Sequence, residues 1–276
     1  MTMLSLSIEN QRSDVAVPKL FVTSDIHSYY EPLIEALDAA GFDKDNEDHW
    51  LIVCGDCFDR GPDSGLVLKF LMEIERKILV KGNHDLLLDE CCKRGFPYAH
   101  DRHNGTITTI QDLGDMGAGY DFESCCNTTY NKLARYRELL VNYFETQHYI
   151  FVHSWIPTEI EYTYASKPWH QLGKNHSYKA DWRQATDKEW EEAMWGNPFW
   201  NAQDELNETG KTLVFGHWHC STGHSLFSGD KDISEFGDDA IWEPYKSDKY
   251  DIIGIDRCVA HTGKLNVLVL EDEFIE

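Results

Sequence analysis

The side chains able to do chemistry in this chain fall into five short groups. They are Asp25-Ile-His27, Gly55-Asp56-Cys57-Phe58-Asp59-Arg60-Gly61, Gly82-Asn83-His84-Asp85, Val152-His153 and Gly216-His217-Trp218-His219. Asp, His and Asn supply borderline-hard oxygen and nitrogen ligands suited to Mn, Fe, Zn or Mg, with no thiolate required. A single His after a strand is ordinarily a satisfied structural residue. Four histidines and two aspartates gathered at one sheet edge are harder to explain that way, because buried polar groups need partners. The turn glycines at 55, 61, 82 and 216 fit such a gathering, since glycine lets the backbone turn sharply and approach a ligand closely. Cys54 and Cys57 form a C-x-x-C, but no second pair at zinc-finger spacing accompanies it, so these thiols read as bystanders.

The elements that must position these groups are short apolar runs rich in Val, Ile, Leu and Phe. Residues 19–23, 50–54, 77–80, 148–152, 211–215, 251–255 and 265–270 read as buried strands, and the first five lead straight into the five polar turns. Helical patterns at 29–40, 64–76 and 85–93 alternate with the early strands. The N-terminal half is therefore β-α-β-α-β, a sheet covered by helices. Loops beyond the carboxyl ends of such strands collect on one edge, where residues distant in sequence meet. Residues 95–143 read as mostly helical, most clearly over 131–144, and form an expected helical insertion at about 95–145. A second insertion, at about 155–210, is rich in aromatics: residues 155–200 hold six of the nine tryptophans. A satellite core under long loops is the commoner fate of such residues, and an aromatic lid over a substrate is the sharper alternative. Because the candidate site runs from Asp25 to His219, the chain is expected to be one domain, 1–276.

At 276 residues and 42% hydrophobic, the chain is long enough for a full core. No apolar run approaches the roughly 20 residues that span a bilayer, and the N-terminus lacks the basic start and apolar core of a signal peptide. A cytoplasmic location with reduced cysteines is expected, without membrane attachment. The formal charge of −23 argues against binding a nucleic acid duplex. Solubility is the plainer reading of that acidity; attraction of divalent cations or of basic peptide segments is the sharper one.

The ordered set D-x-H, G-D-x-x-D-R-G, G-N-H-D, V-H and G-H-x-H resembles the calcineurin-like metallophosphoesterases. Its Asp-Arg-Gly ending resembles the phosphoprotein phosphatase branch, and the likeness extends to bacterial and phage Ser/Thr phosphatases and to symmetrical diadenosine tetraphosphate hydrolases. Supporting pieces are Asn104-Gly105 with Thr108 opening a helix, and Ile253-Gly254-Ile255-Asp256 followed by Gly263-Lys264-Leu265. The resemblance covers most of the chain except about 156–206 and 221–249. It implies an α/β fold of two stacked mixed β-sheets flanked by helices. It also implies two metal ions, divalent or trivalent, with Mn first and Fe, Zn or Mg as alternatives. Asp25 and His27 would hold one ion, Asp56 would bridge both, and Asn83, His153 and His217 would hold the second. His219 is the further candidate for the first, a position that only some branches use.

The chemistry implied is in-line attack of a metal-bound hydroxide on a phosphate ester. Arg60 would clamp phosphate oxygens with its guanidinium fork, and Asn83 and the metals would share the developing charge. His84 would protonate the leaving oxygen, oriented and kept cationic by Asp59. The alternative for Asp59 and Arg60 is a local ion pair bracing the turn. Three positions depart from the protein phosphatase pattern. Ser154-Trp155 stands where a small residue and Gly are usual, Arg257-Cys258 replaces Thr-Gly, and Trp195-Gly196-Asn197 falls where a second phosphate-binding Arg is placed in related phosphatases. Arg183 is a substitute candidate for that cation. Phosphomonoester hydrolysis on phosphoprotein is the leading expectation. Hydrolysis of a dinucleoside polyphosphate such as diadenosine tetraphosphate is close behind, with the tryptophan-rich stretch stacking bases, and a catalytically silent metal-binding scaffold is third.

Overall fold

Strands buried on both faces read as continuous apolar runs, and such strands need a covering layer on each side. The computed structural model describes residues 17–115, 117, 121–162, 174–178, 181–201, 208, 210–227, 240–246 and 250–275. Its first half runs β1 (Lys19–Thr23), α1 (Tyr30–Ala40), β2 (His49–Cys54), α2 (Ser64–Glu73), β3 (Lys77–Val80) and α3 (Asn83–Arg94). Four further helices follow: α4 (Ala99–Asn104), α5 (Thr106–Leu113), α6 (Phe122–Lys132) and α7 (Ala134–Leu139). Then come β4 (Leu140–Val141), β5 (Phe144–Glu145), β6 (Tyr149–Phe151), β7 (Thr158–Tyr162), β8 (Lys174–Tyr178), α8 (Asp187–Ala193) and α9 (Pro198–Asn201). The chain finishes with β9 (Lys211–Phe215), α10 (Cys220–Phe227), β10 (Trp242–Lys246), β11 (Tyr250–Gly254), α11 (Val259–Thr262) and β12 (Leu268–Glu271).

Two five-stranded mixed sheets result, ordered β12-β1-β2-β3-β4 and β10-β11-β9-β6-β5. Within them β1 to β4 are parallel, as are β6, β9 and β11, and only outer strands run antiparallel. The side-chain period of two sorts each strand between layers. On β2, Leu51 and Val53 join Leu33, Val67, Leu88 and Ile110 beneath the helices, whereas Ile52 and Cys54 join Phe151 and Val214 of the other sheet. The second sheet buries its outer face, Ile150, Leu213 and Phe215, against Trp155, Trp182, Trp190 and Trp242. The stacked, helix-flanked sheets are those expected, and the described tryptophans of residues 155–190 form a satellite core. Trp169 and residues 1–16 lie outside the described residues.

Four readings need correction. Residues 131–144 are not one helix: α7 stops at Leu139, and Leu140 turns extended to pair with Leu79 on the open edge of β3. The helix expected over 64–76 ends at Glu73, because Ile74 is extended and leads the chain into β3. Strand β10 went unread because Pro244 argues against a strand. It is tolerated since β10 lies at the sheet edge and its register shifts between Trp242 and Tyr245. The aromatic insertion holds an antiparallel pair, β7 with β8, that no clean period announced. Among the described residues no helix is long and apolar enough to cross a membrane.

Candidate metal centre

All five motifs follow the carboxyl ends of parallel strands, β1, β2 and β3 of one sheet and β6 and β9 of the other. Backbone hydrogen bonds stitch the turns together: Asp25 N to Gly55 O at 3.1 Å, His27 N to Asp56 O at 2.9 Å, and Gly216 N to His153 O at 2.8 Å. Across the two sheets, His217 N donates to Asp25 Oδ2 at 2.8 Å. The turns are strained as well as joined. Asp25, His27, Asp56, Asp59, Arg60 and His217 all have positive φ, from 48° at His27 to 71° at Asp59. Such conformations cost on the order of 1–3 kcal/mol each and persist only where the surroundings impose them. The glycines also leave room for side chains: a Cβ at Gly82 would collide with the Asp56 carboxylate, one at Gly55 with His153, and one at Gly216 with Asp25.

At the centre is the Asp56 carboxylate. Its Oδ2 lies 3.5 Å from His153 Nε2, 3.8 Å from His27 Nε2 and 3.9 Å from His84 Nε2. Two groups of possible ligands share it, His27-Asp56-His84 and Asp56-His153-His217, each with its ligand atoms within 4.8 Å of one another. Asp25 adjoins the first through a 3.8 Å approach to His27 Nε2, and Asn83 Oδ1 adjoins the second at 2.8 Å from His153 Nε2. Neither group includes His219, whose Nδ1 is 2.7 Å from Ser221 Oγ. Arg183 is held by Glu145 and Glu208 at 2.7 and 3.0 Å, which leaves its fork committed elsewhere.

The donor set suits cations, and the hydrogen bonds say why. His27 Nδ1 faces Phe58 O at 3.0 Å and His153 Nδ1 faces Cys54 O at 2.9 Å. A carbonyl can only accept, so each Nδ1 carries the proton and each neutral ring turns the Nε2 lone pair inward. The His153 Nε2 lone pair then meets the Asp56 and Asn83 oxygens, a convergence of acceptors that repel one another unless something positive lies among them, and His217 Nδ1 lies 3.1 Å from the same Nε2. Burial and the neighbouring Arg60 hold His27 well below the usual histidine range, while burial and His153 push His217 down to about 3. Both rings are thus neutral and able to serve as ligands. Burial opposes charge on Asp56, but the four surrounding histidines overcome it and hold the carboxyl below its usual range. Burial carries Asp25 up to about 6.

His84 stands apart in one respect: its Nδ1 is 2.9 Å from Asp59 Oδ2, which also accepts from Thr106 Oγ1 at 2.7 Å. Burial opposes the imidazolium, yet Asp56 and Asp59 raise its pKa above the ordinary value. Asp59 N donates to Thr109 Oγ1 at 2.9 Å. Thr106 and Thr109 were not foreseen; helix α5 opens at Thr106 and not at Thr108, and only the Asn104-Gly105 turn before it hinted at a role. Asp85 was likewise read only as part of a motif. It ties the Gly82-Asn83 turn by accepting from Gly82 N and from Tyr136 OH, both at 2.8 Å. Arg60 is exposed beside this otherwise buried cluster, and a Cβ at Gly105 would strike its backbone, so the turn before α5 fixes where it sits.

A family model described as calcineurin-like phosphoesterase matches residues 18–262. The chain is similar to the symmetrical bis(5'-nucleosyl)-tetraphosphatases of Nitrosospira multiformis, 40% identical over 70 residues and 25% of each chain, and of Aeromonas hydrophila, 46% over 65 residues and 23% of each. These matches thus span about a quarter of the curated relatives' length. Among solved structures, the cold-active protein-tyrosine phosphatase of a psychrophilic Shewanella aligns with a TM-score of 0.52 at 14% identity, over 93% of this chain and 76% of that one, a likeness of fold alone.

Proposed function

The chain belongs to the calcineurin-like phosphoesterase family, and from that premise we propose that it is a metal-dependent phosphoesterase whose substrate is a dinucleoside polyphosphate. The observation that carries the hydrolytic reading is the Asp56 carboxylate set among three inward-facing Nε2 atoms from three different turns. Asp25, His27 and Asp56 would hold one cation and Asp56, Asn83, His153 and His217 the other, with Mn the first candidate. When bound, metal ions there would lower the pKa of a coordinated water and draw charge from the phosphate oxygens.

The remaining work falls to side chains. Arg60, exposed at the rim, would grip two phosphate oxygens with its fork and hold phosphorus over the cluster. His84 would give its Nε2 proton to the leaving oxygen as the P–O bond breaks, with Asp59 fixing the ring through Nδ1. The walls of the cluster, buried to within a few per cent, would exclude competing solvent.

Sequence reasoning placed phosphoprotein first. The tetraphosphatase relatives favour the nucleotide class, and so does the exposed Arg60, since a cation at the rim suits a polyphosphate better than a basic peptide. Side-by-side rates on diadenosine tetraphosphate and on a phosphoserine peptide, with Mn supplied, test the assignment. A specificity constant higher by at least about tenfold for the dinucleotide is expected, and a preference for the peptide would return the function to protein dephosphorylation.

A further inference from the structure

Three aromatic side chains among the described residues are left largely exposed: Phe96 at 52%, Tyr98 at 49% and Trp195 at 51%. Single exposed aromatics are unremarkable on a protein surface. The placement of these is another matter, because both locations are tied to the cluster. Trp195 precedes Gly196, whose carbonyl accepts a hydrogen bond from Ser154 Oγ at 2.8 Å, and Ser154 follows His153. It therefore belongs to the His153-His217 end. Tyr98 caps α4, and α4 ends at Gly105, which packs on the backbone of Arg60. Arg60 in turn lies between Asp59, whose Oδ2 is 2.9 Å from His84 Nδ1, and Gly61, whose N donates to His27 O at 2.9 Å, at the other end. A six-residue helix spans about 9 Å, so α4 carries the chain about that far between Tyr98 and the Gly105 turn that abuts Arg60.

The Tyr98 end is braced. Arg94 pairs with buried Asp101, and its guanidinium lies 3.9 Å from the Tyr98 ring and 5.6 Å from the Phe96 ring, which meet edge to face at 5.4 Å. Residues 93–103 carry Lys93, Arg94 and Arg102 against Asp101 alone, a locally basic stretch on a chain of net charge −23, with Lys93 paired to Asp89 and Arg94 to Asp101. One exposed ring surface is thus tied through the backbone to each of the two ligand groups that share Asp56, and Arg94 lies against the Tyr98 ring.

We propose that Trp195 and the Tyr98-Phe96 pair are base-stacking platforms, one for each nucleoside of a dinucleoside polyphosphate whose phosphate chain lies across the cluster. The proposal rests on the substrate class proposed above. Trp155, Trp182 and Trp190 of the tryptophan-rich stretch are core and take no part in stacking. Stacking on an aromatic is sequence-tolerant and contributes about 1–3 kcal/mol per base.

The test compares wild type with Trp195→Ala, Trp195→Phe and Tyr98→Ala on diadenosine tetraphosphate and on p-nitrophenyl phosphate, whose ring lies beside its phosphorus. Titration calorimetry with ADP supplies a binding readout free of turnover. The alanine variants are expected to raise KM for the dinucleotide about 5- to 100-fold with kcat little changed, and to weaken ADP comparably. Their kcat/KM on p-nitrophenyl phosphate should shift less than about threefold, and Trp195→Phe should retain most of the affinity. An unchanged KM and ADP affinity in Trp195→Ala, or equal losses on both substrates, would overturn the platforms while leaving the substrate class standing. A wild type that turns over p-nitrophenyl phosphate or a phosphopeptide but not the dinucleotide would remove the substrate class, and the platforms with it.

Discussion

At the residue scale, the account depends on which atoms face inward. Asp56 is the one carboxylate shared by both ligand groups, so Asp56→Asn should leave less than one bound cation per chain by elemental analysis and lower kcat by at least about 1000-fold. His84 is assigned a proton and not a metal. His84→Asn should therefore retain the wild-type metal content while kcat falls roughly 100- to 1000-fold, and loss of metal instead would recast His84 as a ligand. Gly82 tests the same geometry from the backbone. Its hypothetical Cβ overlaps the Asp56 carboxylate, so Gly82→Ala should cost about 1–3 kcal/mol of stability in denaturant melts and weaken metal binding together. These residues were legible because each motif sits in a turn after an apolar run. Thr106 and Thr109 were not, because a threonine that orients an aspartate some 50 positions away looks in sequence like any helix-opening residue.

At the scale of elements, legibility followed burial. β1, β3 and β9 were read to the residue because both faces are covered and the apolar run starts and stops with the strand. Residues 131–144 misled because their apolar spacing satisfies a helix until Leu140, where the unpaired edge of β3 offers hydrogen bonds that a local pattern cannot register. Pro244 hid β10 for the converse reason, a residue poor in strands sitting where the ladder has no use for its missing N–H. His219 shares a turn with His217, and its Nδ1 engages Ser221, an arrangement in which Nε2 is the nitrogen that would serve a cation. The turn before α5 yields a sharper test. Gly105 has φ +84° and abuts Arg60, so Gly105→Ala should displace Arg60 and raise KM several-fold, as Arg60→Ala itself should. Wild-type kinetics in Gly105→Ala would detach Arg60 from that turn. Asp272 joins β12 to the start of β6 by accepting from His148 N at 2.7 Å. Burial resists its charge, but Thr146 beside it and the hydrogen bonds from His148 outweigh this and hold its pKa below the usual carboxylate range. A lowered folded pKa contributes stability above the unfolded pKa that is lost as pH falls through the folded one. The stability gap between wild type and Asp272→Asn should accordingly be present at pH 7 and close under acid conditions, and a gap independent of pH would assign the contact to packing.

For the whole molecule, net charge and cation binding bear on the same quantity. A chain at −23 repels itself, and a buried cluster of converging acceptors adds to that strain. Ligands that bind only the folded state stabilise it in proportion to the logarithm of their concentration over Kd. The melting temperature should rise far more with micromolar Mn than with an equal ionic strength of NaCl, and Asp56→Asn should abolish the difference while retaining the response to NaCl. The most direct test of the central claim is hydrolysis of p-nitrophenyl phosphate by metal-stripped protein with Mn, Mg, Zn or Fe restored, beside Asp56→Asn treated identically. Turnover that returns with metal in the wild type and stays absent in Asp56→Asn is the predicted result; turnover that needs no metal, or that survives in Asp56→Asn, would contradict it.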